Sequence, residues 1–150
     1  RLMYVEKALS SHMDLDLDLA VKNSNENPVY YVQYAYARIA SVLRVAEENK
    51  IPIQEIEEFK TLDFGKLGKM LVLLAEYPLV IEEAAVKRLP HKIPQYLLSL
   101  ASALHGFYND EKIITDDPVA TNEKLALIKA VQVVIKDGLG LIGVGVKERM

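Results

Sequence analysis

Apolar side chains recur along this chain mostly at spacings of three and four, with prolines between the periodic stretches, a pattern that predicts a succession of helices. In the stretch opening at Asn27, Val32, Ala35, Ile39, Val42, Leu43 and Ala46 fall on one side of a helix. Asn27 suits its N-cap and Pro28 its first turn, where a missing N–H costs nothing. Ile51-Pro52 stops that pattern, because the residue before proline is pushed out of the α region, and Ile53 to Thr61 follows as an acidic, weakly periodic linker. Gly65 to Tyr77 predicts a second helix burying Leu67, Met70, Leu71, Leu74 and Ala75. Pro78 is expected to end it and begin a third, with Val80, Ile81, Ala84, Ala85 and Leu89 inward and Pro90 as its close.

Pro94 fits the first turn of a fourth helix, whose stripe of Tyr96, Leu97, Leu100, Ala101, Leu104, Phe107 and Tyr108 is the longest in the chain. That helix is the candidate centre of the fold. Thr115 to Thr121 reads as a loop, and Asn122 to Asp137 as a fifth helix with Leu125, Ile128, Val131, Gln132 and Ile135 buried and Gly138 as its stop. Such a series of helices without paired strands predicts an all-α bundle of about five helices.

Ahead of these, Leu2 to Leu9 reads as the end of a helix. His12 to Leu19 alternates polar and apolar, which predicts an extended segment with one buried face. Asp14, Asp16 and Asp18 imitate the start of a calcium loop, but the positions that need glycine and glutamate hold Leu19 and Asn25. His12, His91 and His105 are not spaced for zinc and are expected to be structural hydrogen-bonders. No residue is therefore assigned to a metal.

A length of 150 residues fits one domain, too small for a multi-domain enzyme. No apolar run approaches the ~20 residues of a membrane span. The absence of cysteine excludes disulfides and thiolate metal sites and favours a cytoplasmic setting. The first residue is Arg rather than Met, as expected of a piece of something longer. A formal charge of −3 means that any nucleic-acid contact must be local, because binding by bulk electrostatics needs a basic protein.

The candidate chemistry lies on the leading helix. Tyr31, Tyr34 and Arg38 sit beside its core stripe at spacings of three and four, giving two phenols and a guanidinium that could stack flat rings and hold a phosphate or a base edge. On pattern alone, the more usual reading of the same tyrosines is a core edge with hydroxyls in water. Gly138 to Gly143 spells GxGxxG, yet that motif works between a strand and a helix; here a helix precedes it and only seven residues follow. No nucleophile has a base beside it in sequence, and no carboxylate pair is placed for catalysis.

The run NPVYYVQYAYARI resembles the opening of the C-terminal helical (DALR-type) anticodon-binding domain of arginyl-tRNA synthetases, where the form NPVYYVQYAHARI is characteristic. SHMDLDLDLA before it, LPHKIPQYLLSLASALHGFYN in the middle, and LALIKAVQVVIKDGLGLIGV with a terminal ERM are similar to that family in order and separation, so the resemblance spans nearly the whole chain. It implies that residues 1–24 end the catalytic body and connect it, and that 25–150 form the anticodon-binding domain. It also implies anticodon contacts at Tyr31, Tyr34, Arg38, Tyr108 and Met150, and arginine tRNA as partner, with neither DNA nor membrane. Catalysis, ATP with magnesium, and the HIGH-type and KMSKS-type sequences, absent here, would belong to an N-terminal catalytic domain, so this fragment is expected to need no cofactor. Gln33 projects away from the tyrosines and is expected to be structural. The chain departs from the family at Tyr36, usually histidine, and at Lys147, where a proline commonly precedes the terminal ERM. Another synthetase of the same class, such as the cysteine enzyme, or a helical protein-interaction module remain alternatives. Lys124, Lys129, Lys136 and Arg149 give the last helix and tail a locally basic character that RNA contact or a solvated face would both explain.

Overall fold

A computed structural model describes residues 1–7, 11, 12, 14 and 16–150, the Lys66 side chain excepted. Six helices follow one another: α1 (Leu2–Val5), α2 (Leu17–Val21), α3 (Pro28–Glu48), α4 (Phe64–Val86), α5 (Lys92–Asp110) and α6 (Pro118–Leu141). No strand occurs among the described residues. The long helices begin where short carboxylate or amide side chains can satisfy free N–H groups. Asn27 accepts from the Val29 amide at 3.0 Å, Asp63 from Gly65 at 2.8 Å, and Asp117 from Val119 and Ala120 at 2.8 and 3.2 Å. Pro28 and Pro118 take the first turns of α3 and α6, as the missing N–H allows.

Three of the long helices end in the same way. The Ile51 amide donates back to the Ala46 carbonyl, Leu89 to Ala84, and Val144 to Leu139, each at 2.9 Å, with the preceding residue turned to positive φ. Only the last of these turns uses glycine, Gly143; Lys50 and Arg88 adopt φ of 54° and 55° with a full side chain.

The core confirms the central role expected of the fourth periodic segment. Leu97, Leu100, Ala101 and Leu104 of α5 are fully buried against α3, α4 and α6. Val32, Ala35 and Ile39 of α3 and Leu125, Ile128, Val131 and Ile135 of α6 close around them.

Four expectations are corrected. Pro78 neither ends one helix nor starts another, since α4 runs through it. Proline costs a hydrogen bond in a helix interior, and packing against α5 outweighs that loss. Tyr77 and Tyr96 pack with ring centroids 5.4 Å apart, and the Tyr96 hydroxyl donates to the Leu73 carbonyl at 2.8 Å, just before the turn the proline disrupts. Burial, aided by Glu76, pushes Tyr96 up to about 12, so this donor stays protonated. With the two segments fused, Ala75 and Ala85 face solvent rather than the core.

Gly138 is not a stop either. It lies buried inside α6, where a Cβ would come within 2.8 Å of Leu97 Cδ2, so the missing side chain serves close approach to α5. The alternating segment does not stay extended: Asp16 accepts from the Leu19 amide at 2.9 Å and starts α2, leaving Leu17 exposed. The part of that expectation falling on Met13 and Leu15 lies outside the described residues, as do Ala8 and Leu9 of the first segment. Lys124, finally, is no part of a basic surface. It is buried and donates to Glu111 at 2.8 Å and to the Lys112 carbonyl at 2.9 Å.

The acidic linker is pinned by one carboxylate. Glu123 on α6, only 2% exposed, accepts from the Lys60 amide at 2.6 Å, the Thr61 amide at 2.9 Å and the Thr61 hydroxyl at 2.6 Å. Burial pushes its pKa up, but the hydrogen bonds from Thr61, Lys60 and Leu62 together outweigh that and leave it lowered. A lowered carboxyl contributes stability that is full above its unfolded value and is lost as pH falls through the folded value. Glu123→Ala should therefore cost about 3 kcal/mol at neutral pH, because two amides and a hydroxyl lose their acceptor. Urea melts should show this gap narrowing as the pH is taken below the ordinary carboxylate range, while an unchanged gap would deny Glu123 the anchoring role.

Candidate nucleic-acid interface

Helix α3 has to bury a narrow aliphatic stripe, so the residues beside it come to rest half-buried at the boundary with solvent. Tyr31, Tyr34 and Arg38 occupy that boundary, and α5 lies alongside it. His105 and Tyr108, three residues apart and so on one face of α5, meet them. The His105 ring lies 4.7 Å from Tyr31, tilted by 55°, and 5.7 Å from Tyr34, nearly parallel at 25°. Tyr30 continues the series, stacked on Tyr34 at 6.1 Å and 7°. The Arg38 guanidinium sits over the Tyr108 ring, its carbon 4.5 Å from the centroid.

The protonation states follow from this geometry. His105 is held below the usual histidine range chiefly by burial; a hydrogen bond to the Tyr31 backbone opposes the shift and Arg38 adds to it. The Tyr31 amide already donates to the Asn27 carbonyl at 2.9 Å, so its own carbonyl is left to accept from His105. His105 Nε2 is buried without a partner, so it is the ring atom left to meet a ligand. Burial likewise raises the Tyr108 phenol well above its ordinary value, against a smaller opposing pull from Arg38. That hydroxyl is also buried and unpartnered.

Four of the five candidate residues are thus brought together: Tyr31, Tyr34, Arg38 and Tyr108. Met150 ends a tail that follows Gly143 and returns to α3. Gln33 Nε2 donates to the Gly145 carbonyl at 2.7 Å, and Arg44 approaches the Glu148 carbonyl at 3.5 Å. Val144 and Val146 pack on the core, so the tail is held despite Lys147. Gln33 and Arg44 lie about 200° around the helix from Tyr31 at 100° per residue, on the other flank of α3. Met150 itself is 44% exposed, and no hydrogen bond, ion pair or ring contact among the described residues ties it to the tyrosines.

Gln33 therefore has the structural part expected of it. Tyr36, the departure from the family pattern, is not a second surface aromatic: it is 6% exposed, with Glu148 of the tail near enough to raise its pKa after burial. His105 was expected to be a structural hydrogen-bonder, and it does bond the Tyr31 backbone, but its ring also completes the aromatic ladder. Its distance of three from Tyr108 was the available signal. Among the described residues no group of side chains could hold a metal, and no helix is long and apolar enough to cross a membrane.

A half-buried ladder of rings beside an unpaired guanidinium, on the side of a helical bundle, defines a domain suited to taking up unstacked bases. Comparison with known proteins gives that class its family. Residues 32–150 match the DALR anticodon binding domain, and the chain belongs to that family. It is 45% identical over 152 residues to the arginine–tRNA ligase of Geobacillus kaustophilus, a match covering 100% of this chain and 27% of the relative. Among solved structures it is similar to Thermus thermophilus arginyl-tRNA synthetase, with a TM-score of 0.84, 25% identity, and coverage of 99% of this chain and 25% of the other. A Campylobacter jejuni chain assigned as an arginyl-tRNA synthetase gives 0.86 and 28%, with 99% and 32% covered. The chain therefore spans only about a quarter of the length of the curated relatives it matches.

A buried hydroxyl without a partner is a cost carried by the fold. Tyr108→Phe should raise stability by about 1 kcal/mol, read as a higher urea midpoint. A loss of stability instead would mean that the hydroxyl is satisfied in solution and is not free for a ligand.

Proposed function

We propose that this chain is the anticodon-binding portion of an arginine–tRNA ligase, joined through residues 1–24 to a catalytic domain that attaches arginine to its tRNA with ATP and magnesium, in the cytoplasm. The chain's own share is recognition. Bases of the anticodon loop leave their stack and lie against Tyr31 and Tyr34, while Arg38 meets a base edge or phosphate and Tyr108 closes the far side. Met150 would join them if the tail folds over the bound loop. The observation that carries this reading is the convergence of Tyr31, Tyr34, Arg38 and Tyr108 from two helices onto one half-buried surface. Membership of the anticodon-binding family, and relatives that are arginine–tRNA ligases, favour it over another synthetase or a protein-interaction module.

Stacking of an unpaired base on an aromatic side chain is worth roughly 1–3 kcal/mol. Titrated with arginine tRNA, the chain should bind more tightly than with a tRNA whose central anticodon cytosine is replaced. Tyr34→Ala and Arg38→Ala should each weaken the cognate complex by about ten-fold or more with little change in melting temperature. Equal affinity for both tRNAs, unaffected by either substitution, would refute the reading. Removal of Arg149 and Met150 checks the tail separately, and unaltered discrimination would exclude it from recognition.

A further inference from the structure

Among the described residues, four buried side-chain polar atoms lack a partner, and two of them, His105 Nε2 and the Tyr108 hydroxyl, lie within one turn of α5. Both face α3, where His105 contacts Tyr31 and Tyr34 and Tyr108 contacts Arg38. Arg38 has no carboxylate or carbonyl partner among the described residues, and its guanidinium lies over the Tyr108 ring. Three polar groups of defined character, each without a hydrogen bond, are therefore gathered at the foot of the aromatic ladder. With the proton on Nδ1, neutral His105 offers an acceptor at the orphaned Nε2. The protonated phenol and the guanidinium offer donors.

We propose that His105 is a specificity-determining residue: its Nε2 accepts from the exocyclic amino group of an unstacked base while the Tyr108 hydroxyl and Arg38 donate to the ring nitrogen and carbonyl beside it. An acceptor followed by two donors complements the pairing edge of cytosine, which presents an amino group, a bare ring nitrogen and a carbonyl. Uracil presents a carbonyl and an N–H in the first two places, so both would oppose the site and leave buried groups unpaired. Arg38 lies over the Tyr108 ring with no hydrogen bond or carboxylate to hold it there, so it is free to turn toward an entering base. The inference rests on the anticodon-binding reading and adds to it a residue and the atom of the base that it reads.

The test uses the whole 150-residue chain and RNA hairpins with the arginine anticodon loop, carrying at the central position cytosine, uracil, or pyrimidin-2-one, which is cytosine without its amino group. The wild-type chain should prefer cytosine over each of the others by about ten-fold or more, the discrimination expected of a single well-placed hydrogen bond. His105→Phe, which keeps a ring in the ladder, should bind cytosine and pyrimidin-2-one equally. His105→Gln, which restores an acceptor, should recover part of the preference. If His105→Phe is poorly folded, the hairpins still decide the matter with the wild-type chain, because indifference to the missing amino group overturns the proposal. A preference that survives intact in well-folded His105→Phe also overturns it and leaves the anticodon-binding reading in place. Failure of the wild-type chain to bind any of the hairpins removes both.

Discussion

One contact, the His105 ring of α5 packed 4.7 Å from Tyr31 and 5.7 Å from Tyr34 of α3, joins the two helices at the point where the aromatic surface is made. Below it, the fully buried Ala35 and Ala101 keep side-chain bulk low on both helices, and Leu97, Leu100 and Leu104 set their separation. The rings of Tyr31, Tyr34 and Tyr108 are thereby placed by the core of the bundle and not by loops. A site built on rigid elements holds its geometry before a ligand arrives, so less ordering entropy is lost on binding.

The same core explains which parts of the fold were legible in the sequence. The leading helix and the last two announced their buried faces by spacing, and the caps at Asn27 and Pro28 marked a boundary that the structure keeps. Local rules failed where a partner helix overrides them. Pro78 reads as a break, yet α4 runs through it, packed on α5 through Tyr77 and Tyr96 just ahead of the proline. Gly138 reads as a stop, yet the space it leaves is filled by Leu97 from α5. In the site, Tyr31, Tyr34 and Arg38 could be found because they share one helix and a helical period. His105 could be linked to the site only through its spacing of three from Tyr108, since Tyr31 and Tyr34 lie more than seventy positions away in the sequence. Tyr36 shows the converse: an aromatic in the middle of the motif that the fold sends inward, beneath the tail.

Net charge further limits what this surface can do. The chain is acidic overall, and Lys124, the lysine nearest the start of α6, is consumed by Glu111 and a carbonyl. Little is left for a broad attraction to phosphates, which in strongly basic binders dominates affinity and makes it steeply dependent on salt. Ring stacking and a few directed hydrogen bonds are sequence-sensitive or shape-sensitive by nature, whereas a basic field holds any nucleic acid. An acidic domain with a local aromatic and guanidinium cluster is therefore suited by its chemistry to discrimination more than to general affinity.

The treatment of buried polar groups sharpens that contrast within a single molecule. Glu123 carries a full charge into the interior and has three donors aimed at it, so the fold meets the demands of an anion where the role is to fasten the linker to α6. Tyr108 and His105 carry milder demands, and those are left unmet. A hydroxyl or imidazole nitrogen deprived of water and of any partner costs on the order of 1–3 kcal/mol, a sizeable share of the stability of a domain this size. Packing defects of that magnitude are usually relieved by a phenylalanine or a leucine, which would fill the same space without a polar atom. Two polar atoms retained within one turn, beside a guanidinium with nothing to bind, are consistent with a surface whose hydrogen-bonding partner arrives from outside.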